Sequence, residues 1–382
     1  MHIAIDAHSV GAQLGGNETY AVNLIEALAE TDQINQYTLF VTKKSAVDRF
    51  RDRWPNFKVR RVFPHTPVVR IPLSLSLELR RHPVDVLHVQ YTAPPSVPCP
   101  VIATIHDLAF EHLPETFNRR SWMQLRFTVR HTARRAARII TVSEYSRRDI
   151  CKTYKIGPDH IVVTAEAAPA HFAPVTDETE LRKIRQKYGI DSDYILSLGS
   201  IQPRKNLGRL IDAYSSLRSL RAGSKLPKLV IAGKRGWLER EIFRAAERSK
   251  FGKDILFVGY VPEPDLPALF SGAFTFVYPS YFEGFGLPVL EAMQCGAPVI
   301  AGNRTSIPEI AGDAALLFDP FDTEAVREAL ARVIDDARLR TSLCQRGLDR
   351  ANEFNWTKTA QLTLQTYREV AKEDAVAGSR PY

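Results

Sequence analysis

The chain has 382 residues, more than one ordinary hydrophobic core organises, so two domains are expected. Apolar residues make up 45% and charged residues 25%, a globular balance, and no apolar run approaches the roughly 20 residues that span a bilayer. The net charge of +8 is uneven, because residues 116–150 hold nine arginines against two acids.

The first residues, MHIAIDAHSVGA, have neither a basic n-region nor a long apolar h-region, so no secretory signal is expected. Cys99, Cys151, Cys295 and Cys344 are scattered, with no CxxC pair and no histidine at ligand spacing. Reduced thiols in a cytoplasmic protein are expected, rather than zinc or a disulfide framework. Three N-x-S/T sequons begin at Asn17, Asn303 and Asn355 and carry no information without secretion.

Apolar runs of strand length alternate with amphipathic runs. The first half reads as strands at 2–5, 37–42, 57–62, 85–89, 101–105, 138–142 and 161–166, with a helix at 18–30 after the first strand. The second half reads as strands at 194–199, 228–233, 254–259, 274–280 and 297–301. Helical runs at 207–220, 237–250, 266–273 and 287–295 lie between them. This order, met twice, predicts two doubly wound α/β domains, each a parallel sheet covered by helices. The polar stretch PVTDETELRKIRQKYGIDSD marks the linker, with room for a short helix. The last helix is expected at 357–374, and the tail AVAGSRPY as an unpaired end.

Ligands of such folds bind beyond the carboxyl ends of the strands. In chain order, DAHSVGAQLGGNETYAVNL (6–24) places Gly15 and Gly16 before the first helix, a phosphate-approach loop that is neither GxGxxG nor a P-loop. TIHDLAF (104–110) sets His106 and Asp107 at a strand end, where a histidine can bind a hydroxyl or move a proton, or be structural. In SWMQLRFTVRHTARRAARIITVS (121–143), Trp122, Leu125, Val129, Ala133 and Ala136 form an apolar stripe. Arg126, Arg130, Arg134 and Arg138 form an i,i+4 row beside it. A basic amphipathic helix over 119–138 fits an anionic membrane surface as well as a core helix with a solvated face; sparse aromatics disfavour nucleic acid.

GSIQPRKNLGRLIDAY (199–214) puts Arg204 and Lys205 on a βα loop, suited to a diphosphate, with Asn206 placed to cap the next helix. YFEGFGLPVLEAMQCGAP (281–298) follows a strand with a glycine turn. Pro288 fits the first turn of the next helix, and Glu283 and Glu291 lie either side of a helix start that favours a phosphate. The carboxylates there suit hydroxyls beside the anion, a sugar on one side and a ribose on the other. A generic βα loop with one dipole-stabilising glutamate is the plainer alternative. The chain has no GxSxG, no HExxH, no catalytic cysteine context and no acidic pair at a strand end. Asp335 and Asp336 read as a solvated helix face.

Taken together, Glu283-GFGLPVL-Glu291 with AMQCGAPVIA after it, IPEIAGDAALLFDP, PRKN, the glycine pair 15–16, HDLAF and VSEYSRRD resemble the retaining glycosyltransferases of family 4, over nearly the whole chain. The resemblance implies the GT-B architecture, α/β, with two Rossmann-like doubly wound domains facing a central cleft. The acceptor-binding domain would cover 1–172, with helix 357–374 packing back on it and Phe354 and Trp356 pinning the crossing. The nucleotide-sugar-binding domain would cover 190–356. It further implies that Glu291 binds the ribose and that Glu283, with Gly284, Phe285, Gly286 and Leu287, holds the donor sugar. Arg204 and Lys205 would bind the diphosphate, Gly15 and Gly16 approach the phosphates, His106 and Asp107 contact the sugar, and Lys234, Tyr260 and Val261 line the base pocket.

The implied reaction keeps the anomeric configuration and needs no metal or other cofactor. The bacterial mannosyltransferases of surface-polysaccharide and lipopolysaccharide assembly are the nearest in pattern. The expected donor is therefore GDP-mannose and the expected acceptor a glycan or lipid-linked saccharide. A UDP-hexose donor, an epimerase or glycogen-type synthase, and a nucleotide-sugar-binding protein without transferase activity are the alternatives.

Overall fold

The structure is a computed structural model that describes residues 1–12, 15–236 and 238–377; Gln13, Leu14, Trp237 and residues 378–382 of the tail lie outside the described residues. The chain divides into two compact units. Unit 1 comprises residues 1–114, 118–166 and 355–382, and unit 2 comprises 115–117 and 167–354.

The strands of unit 1 are β1 (His2–Asp6), β2 (Gln36–Val41), β3 (Phe57–Arg61), β4 (Val86–Gln90), β5 (Val101–Thr104), β6 (Arg138–Thr141) and β7 (Ile161–Val163). Among the described residues they form one parallel sheet in the order β3-β2-β1-β4-β5-β6-β7. β4 and β5 are buried throughout, as strands covered on both faces must be, which explains their mostly apolar sequences, VLHVQ and VIAT. The helix Gly16–Thr31 packs against the helix Trp356–Ala377. That last helix is tied to the sheet by Tyr367, whose hydroxyl lies 2.6 Å from His88 Nδ1 on β4. Trp356 packs edge-on against Tyr20.

Unit 2 contains β8 (Tyr194–Leu198), β9 (Lys228–Ala232), β10 (Ile255–Gly259), β11 (Thr275–Tyr278), β12 (Val299–Gly302) and β13 (Ala315–Phe318). Their order is β10-β9-β8-β11-β12-β13, again parallel. Both sheets reverse direction once, between β1 and β4 and between β8 and β11. In such sheets a crevice opens beyond the strand ends at that point. The core of unit 2 includes Leu210, Ile211 and Tyr214 against Ile195, Leu229 and Ile231.

Several expectations are corrected. The basic helix does not reach 138. It spans Arg119–Arg135, begins at an Asn118 cap and ends at Ala136, and Arg138 instead opens β6 and pairs with Glu373 at 2.5 Å. Asp335 and Asp336 are both exposed, as expected of a solvated pair, but they do not share one helix. Asp335 ends the helix Thr323–Asp335 and pairs with Arg221, and Asp336 caps the helix Ala337–Ala351 by accepting from Leu339 N. The stretch read as a linker does hold the short helix for which it had room, Glu178–Lys187, whose Ile184 is buried. β13, ALLF, was not among the expected strands.

Candidate active site

Four neighbouring strand ends of unit 2 carry the residues singled out in the sequence. In sheet order they are Tyr260 and Val261 after β10, Lys234 after β9, Arg204 and Lys205 after β8, and the 280–287 loop after β11. The last two flank the reversal point.

The centre of this edge is Glu283, which is buried. Its Oε2 accepts from Arg204 at 2.9 Å. Its Oε1 accepts from Lys205 Nζ at 2.5 Å, from the Tyr278 hydroxyl at 2.9 Å and from Ser280 Oγ at 2.5 Å. Burial pushes the carboxyl upward, but the Arg204 and Lys205 charges outweigh that and hold it down at about 2. Tyr278 moves the other way. Burial and the adjacent Glu283 charge raise its phenol far above the ordinary value, so it remains a donor. The sequence marked Arg204, Lys205 and Glu283 for separate tasks, diphosphate and sugar; the structure brings all three together as one ion cluster. Tyr278 and Ser280 were missed. Their only signal was position, at the end of FTFVYPS a few residues before Glu283.

The loop around the cluster is fixed by its own sequence. Asn206 adopts a left-handed conformation (φ 56°) and makes no side-chain cap to the helix Leu207–Leu220. That corrects the expected cap. Its amide donates to the carbonyls of Pro279 at 3.2 Å and Pro320 at 2.6 Å, which joins the ends of β8, β11 and β13. Gly286 precedes the helix Leu287–Gln294, in which Pro288 occupies the first turn as expected. Its φ of 102° is what favours glycine, and a Cβ there would also displace Cδ1 of Ile307, the movable end of that side chain. Glu283 N donates to Thr305 Oγ1 at 3.0 Å, and Ser306 Oγ donates to the carbonyls of Glu283 and Phe285. Glu291 is buried in the helix that follows. Phe285 packs edge-on against Phe354. Lys234 lies over the Tyr260 ring at 4.6 Å; Tyr260 is exposed and Val261 buried.

Unit 1 presents its own strand-end set. Gly15 has φ 61° and Gly16 opens the first helix. Ser9 Oγ donates to Asn17 O at 3.2 Å and accepts from Gln90 Nε2 at 3.2 Å. Gln90 Oε1 lies 3.0 Å from His106 Nε2, and His106 Nδ1 lies 3.3 Å from the buried Glu166. The glycine loop and His106 therefore belong to one polar network. Both ring nitrogens face acceptor oxygens, so a hydroxyl arriving at the ring would have to displace one of them. Tyr20 packs edge-on at 4.7 Å, and Ser146 Oγ holds the His106 carbonyl at 2.9 Å. Asp107 accepts from Ala109 N at 3.0 Å, a local turn. Glu166 and Gln90 were missed, although a lone acid in VVTAEAAP beyond a strand is a usable signal.

Among the described residues no three His, Cys, Asp or Glu side chains are grouped to hold a metal ion, and no helix is long and apolar enough to cross a membrane.

The family model for glycosyltransferase family 4 matches residues 14–165, and that for group 1 glycosyl transferases matches 180–350. The chain is 35% identical over 268 residues to O-antigen chain mannosyltransferase B of Escherichia coli, covering 70% of each. It is 33% identical over 237 residues to the serotype-specific mannosyltransferase WbdA of the same species, where the match spans 29% of that longer protein. Among solved structures, sucrose-phosphate synthase from Thermosynechococcus elongatus superposes with a TM-score of 0.76 at 21% identity, over 96% of this chain and 98% of that one. The Anabaena protein HepE in complex with UDP and glucose gives 0.74 at 16%, over 96% and 99%. These two likenesses concern the fold.

Proposed function

The chain belongs to glycosyltransferase family 4 and has the two-domain α/β GT-B fold, and from that premise we propose that it is a retaining mannosyltransferase. It moves mannose from GDP-mannose to a glycan or lipid-linked saccharide in cell-surface polysaccharide assembly, lipopolysaccharide included. The observation that carries this is the Arg204–Glu283–Lys205 cluster at the reversal point of the unit 2 sheet. The mannose choice rests on the 35% identical mannosyltransferase.

In this reading Arg204 and Lys205 stabilise the charge that develops on the leaving diphosphate, and no metal ion is required. Glu291 holds the ribose, Lys234, Tyr260 and Val261 border the base, and unit 1 receives the acceptor. Gly15 and Gly16 serve the phosphates and His106 with Asp107 the sugar. Three donors crowd Oε1 of Glu283, so Oε2 is the oxygen better placed to accept a sugar hydroxyl.

A carboxylate held at about 2 and bonded by four donors is a poor nucleophile, which argues against a covalent glycosyl-enzyme. The acceptor oxygen instead bonds C1 on the face from which the phosphate oxygen departs, and the acceptor proton passes to that phosphate. The protein works in the cytoplasm, against the inner face of the membrane, with the basic helix Arg119–Arg135 toward anionic lipid.

Calorimetric titration with GDP, UDP, ADP and their sugar conjugates, in EDTA, tests the reading. Selective GDP-mannose binding that is lost in Arg204→Ala and Glu291→Ala supports it. Binding of UDP-sugars alone replaces the donor. Binding without turnover on any acceptor leaves a nucleotide-sugar-binding protein, and no nucleotide binding at all overturns the reading.

A further inference from the structure

Among the described residues, the positions other than glycine with positive φ are Asp52, Tyr91, Lys155, Asn206, Leu238 and Thr305. Few L side chains adopt that region, so each needs a reason. Asp52 and Lys155 follow the helices Lys44–Phe50 and Glu144–Tyr154, where a left-handed residue is ordinary. Leu238 adjoins Trp237, which lies outside the described residues. Asn206 and Thr305 both stand at the Glu283 cluster, for Asn206 follows Lys205 directly and Thr305 accepts from Glu283 N at 3.0 Å. Tyr91 carries the one aromatic ring of the set.

Tyr91 stands just beyond β4, where the order of the unit 1 sheet reverses. Thr92 N donates to the carbonyl of Gln90 at 2.7 Å across it, and with φ 62° between them this is a γ-turn of the rare, strained hand. Glycine or asparagine would make the same turn with less strain. The turn is held from both sides. Tyr91 N donates to Thr104 O at 2.9 Å, and Thr92 Oγ1 lies 2.9 Å from Thr128 Oγ1. The side chain of Gln90 spans Ser9 and His106. Strain that the surroundings enforce in this way gathers at functional sites, where one side chain must keep one position.

The side chain kept in position is a ring. Tyr91 is half-buried, and its ring centroid lies 5.7 Å from that of His106 with the planes at 49°. His106 is itself only 7% exposed, and its two nitrogens face Gln90 and Glu166. Tyr20, edge-on to the same imidazole, is 1% exposed. Of these three rings, Tyr91 is the one with open surface.

We propose that the Tyr91 ring is a saccharide-stacking platform, the surface of unit 1 against which a pyranose of the acceptor lies. A pyranose has a face of C–H groups, and their slight positive charge suits the negative face of an aromatic ring. His106 then backs the platform instead of meeting a sugar hydroxyl through a nitrogen, which removes the need to displace Gln90 or Glu166. That the ligand is a saccharide rests on the transferase reading. Glycoside binding is measured directly and without donor, so the platform and the transferase reading can fail separately.

The test is saturation-transfer NMR of the full chain titrated with the methyl glycosides of mannose, glucose, galactose and N-acetylglucosamine, beside thermal melts and donor calorimetry. At least one glycoside should bind. Its affinity should fall by about tenfold or more in Tyr91→Gly and stay within about twofold in Tyr91→Phe, with donor affinity unchanged in both. Tyr91→Gly should also melt no lower than Tyr91→Ala, because both lack the ring and glycine alone accepts the positive φ without strain. No binding of any glycoside, full binding by Tyr91→Gly, or a loss in Tyr91→Phe as large as in Tyr91→Gly would each overturn the proposal. Donor affinity lost in Tyr91→Gly would overturn it as well, by making the ring part of the nucleotide-sugar site.

Discussion

Replacing Glu283 by glutamine removes one charge and leaves the shape of the side chain nearly intact. Two donors, Arg204 and Lys205, are cations, and Tyr278 and Ser280 also point at the carboxylate. An amide offers one acceptor oxygen, so at least one of its sides then meets donors with a donor. The depressed ionisation gives the magnitude. A carboxyl held at about 2 instead of 4.5 stabilises the folded state by about 3 kcal/mol when ionised. Loss of one partner from a buried ion pair leads to a similar figure, about 3–5 kcal/mol. The sign follows from the lowered value. The stabilisation is present above about 4.5 and is lost as pH falls toward about 2. Glu283→Gln should therefore be less stable by about 3 kcal/mol at pH 7, with the deficit shrinking below pH 4.5. The measurement is urea denaturation of both proteins across pH, with amide exchange on 275–294 to localise the loss. A nucleoside diphosphate should raise the variant's midpoint more than the wild type's, because phosphate replaces the missing negative charge between the two cations. Equal stability of the two proteins at pH 7, or a deficit independent of pH, would refute the reasoning.

Glu166→Gln should lower kcat by about tenfold or more with donor KM unchanged and shift the His106 ring resonances in a nitrogen-15 spectrum, if Glu166 positions that ring. An unchanged spectrum would reduce Glu166 to packing. His88 is buried between Tyr367 and Thr104, and burial, helped by the nearby His106, lowers its pKa to about 3. It stays neutral when folded and ionises below about 6.5 when unfolded, so stability should drop as pH falls from about 6.5 toward 3, by up to about 1.4 kcal/mol per unit from this residue. His88→Gln should flatten that slope in thermal melts. Gly286→Ala should cost about 2–3 kcal/mol, and Ile307→Val beneath it should recover the steric part but not the backbone part. A double-mutant cycle in urea separates the two.

Much of this was readable because parallel strands covered on both faces are short runs dominated by apolar residues, as VLHVQ and VIAT are, and because β8 and β11 end in loops of unusual composition. PRKN and YFEGFG stand out as charges and glycines where buried strands stop. The misses have physical causes. ALLF is four residues long and follows AGDA, so its apolar run offers no periodicity to distinguish a strand from a helix end. Asn206 satisfies every local rule for a helix cap, and two carbonyls distant in sequence outcompete that role. The arginine row at 126, 130, 134 and 138 continues a helical period across a helix end, because Arg138 shares its spacing but belongs to a strand. Partnerships were the least visible part. Nothing local links Glu283 to a lysine 78 residues earlier, or Glu166 to His106.

The chain leaves unit 1 after Glu166 and returns to it at Asn355. Synthesis therefore presents the units in an unusual order. The strands of unit 1 emerge from the ribosome first, but the helix that covers the helix Gly16–Thr31, and whose Tyr367 meets His88, is made only after the whole of unit 2. Until then Tyr20 and His88 lack part of their burial. Unit 2, made between these two instalments, has all its residues first, so the half that begins later is the half able to finish folding earlier. A released chain truncated after Phe354 would hold a protease-resistant unit 2 beside a unit 1 still open to cleavage.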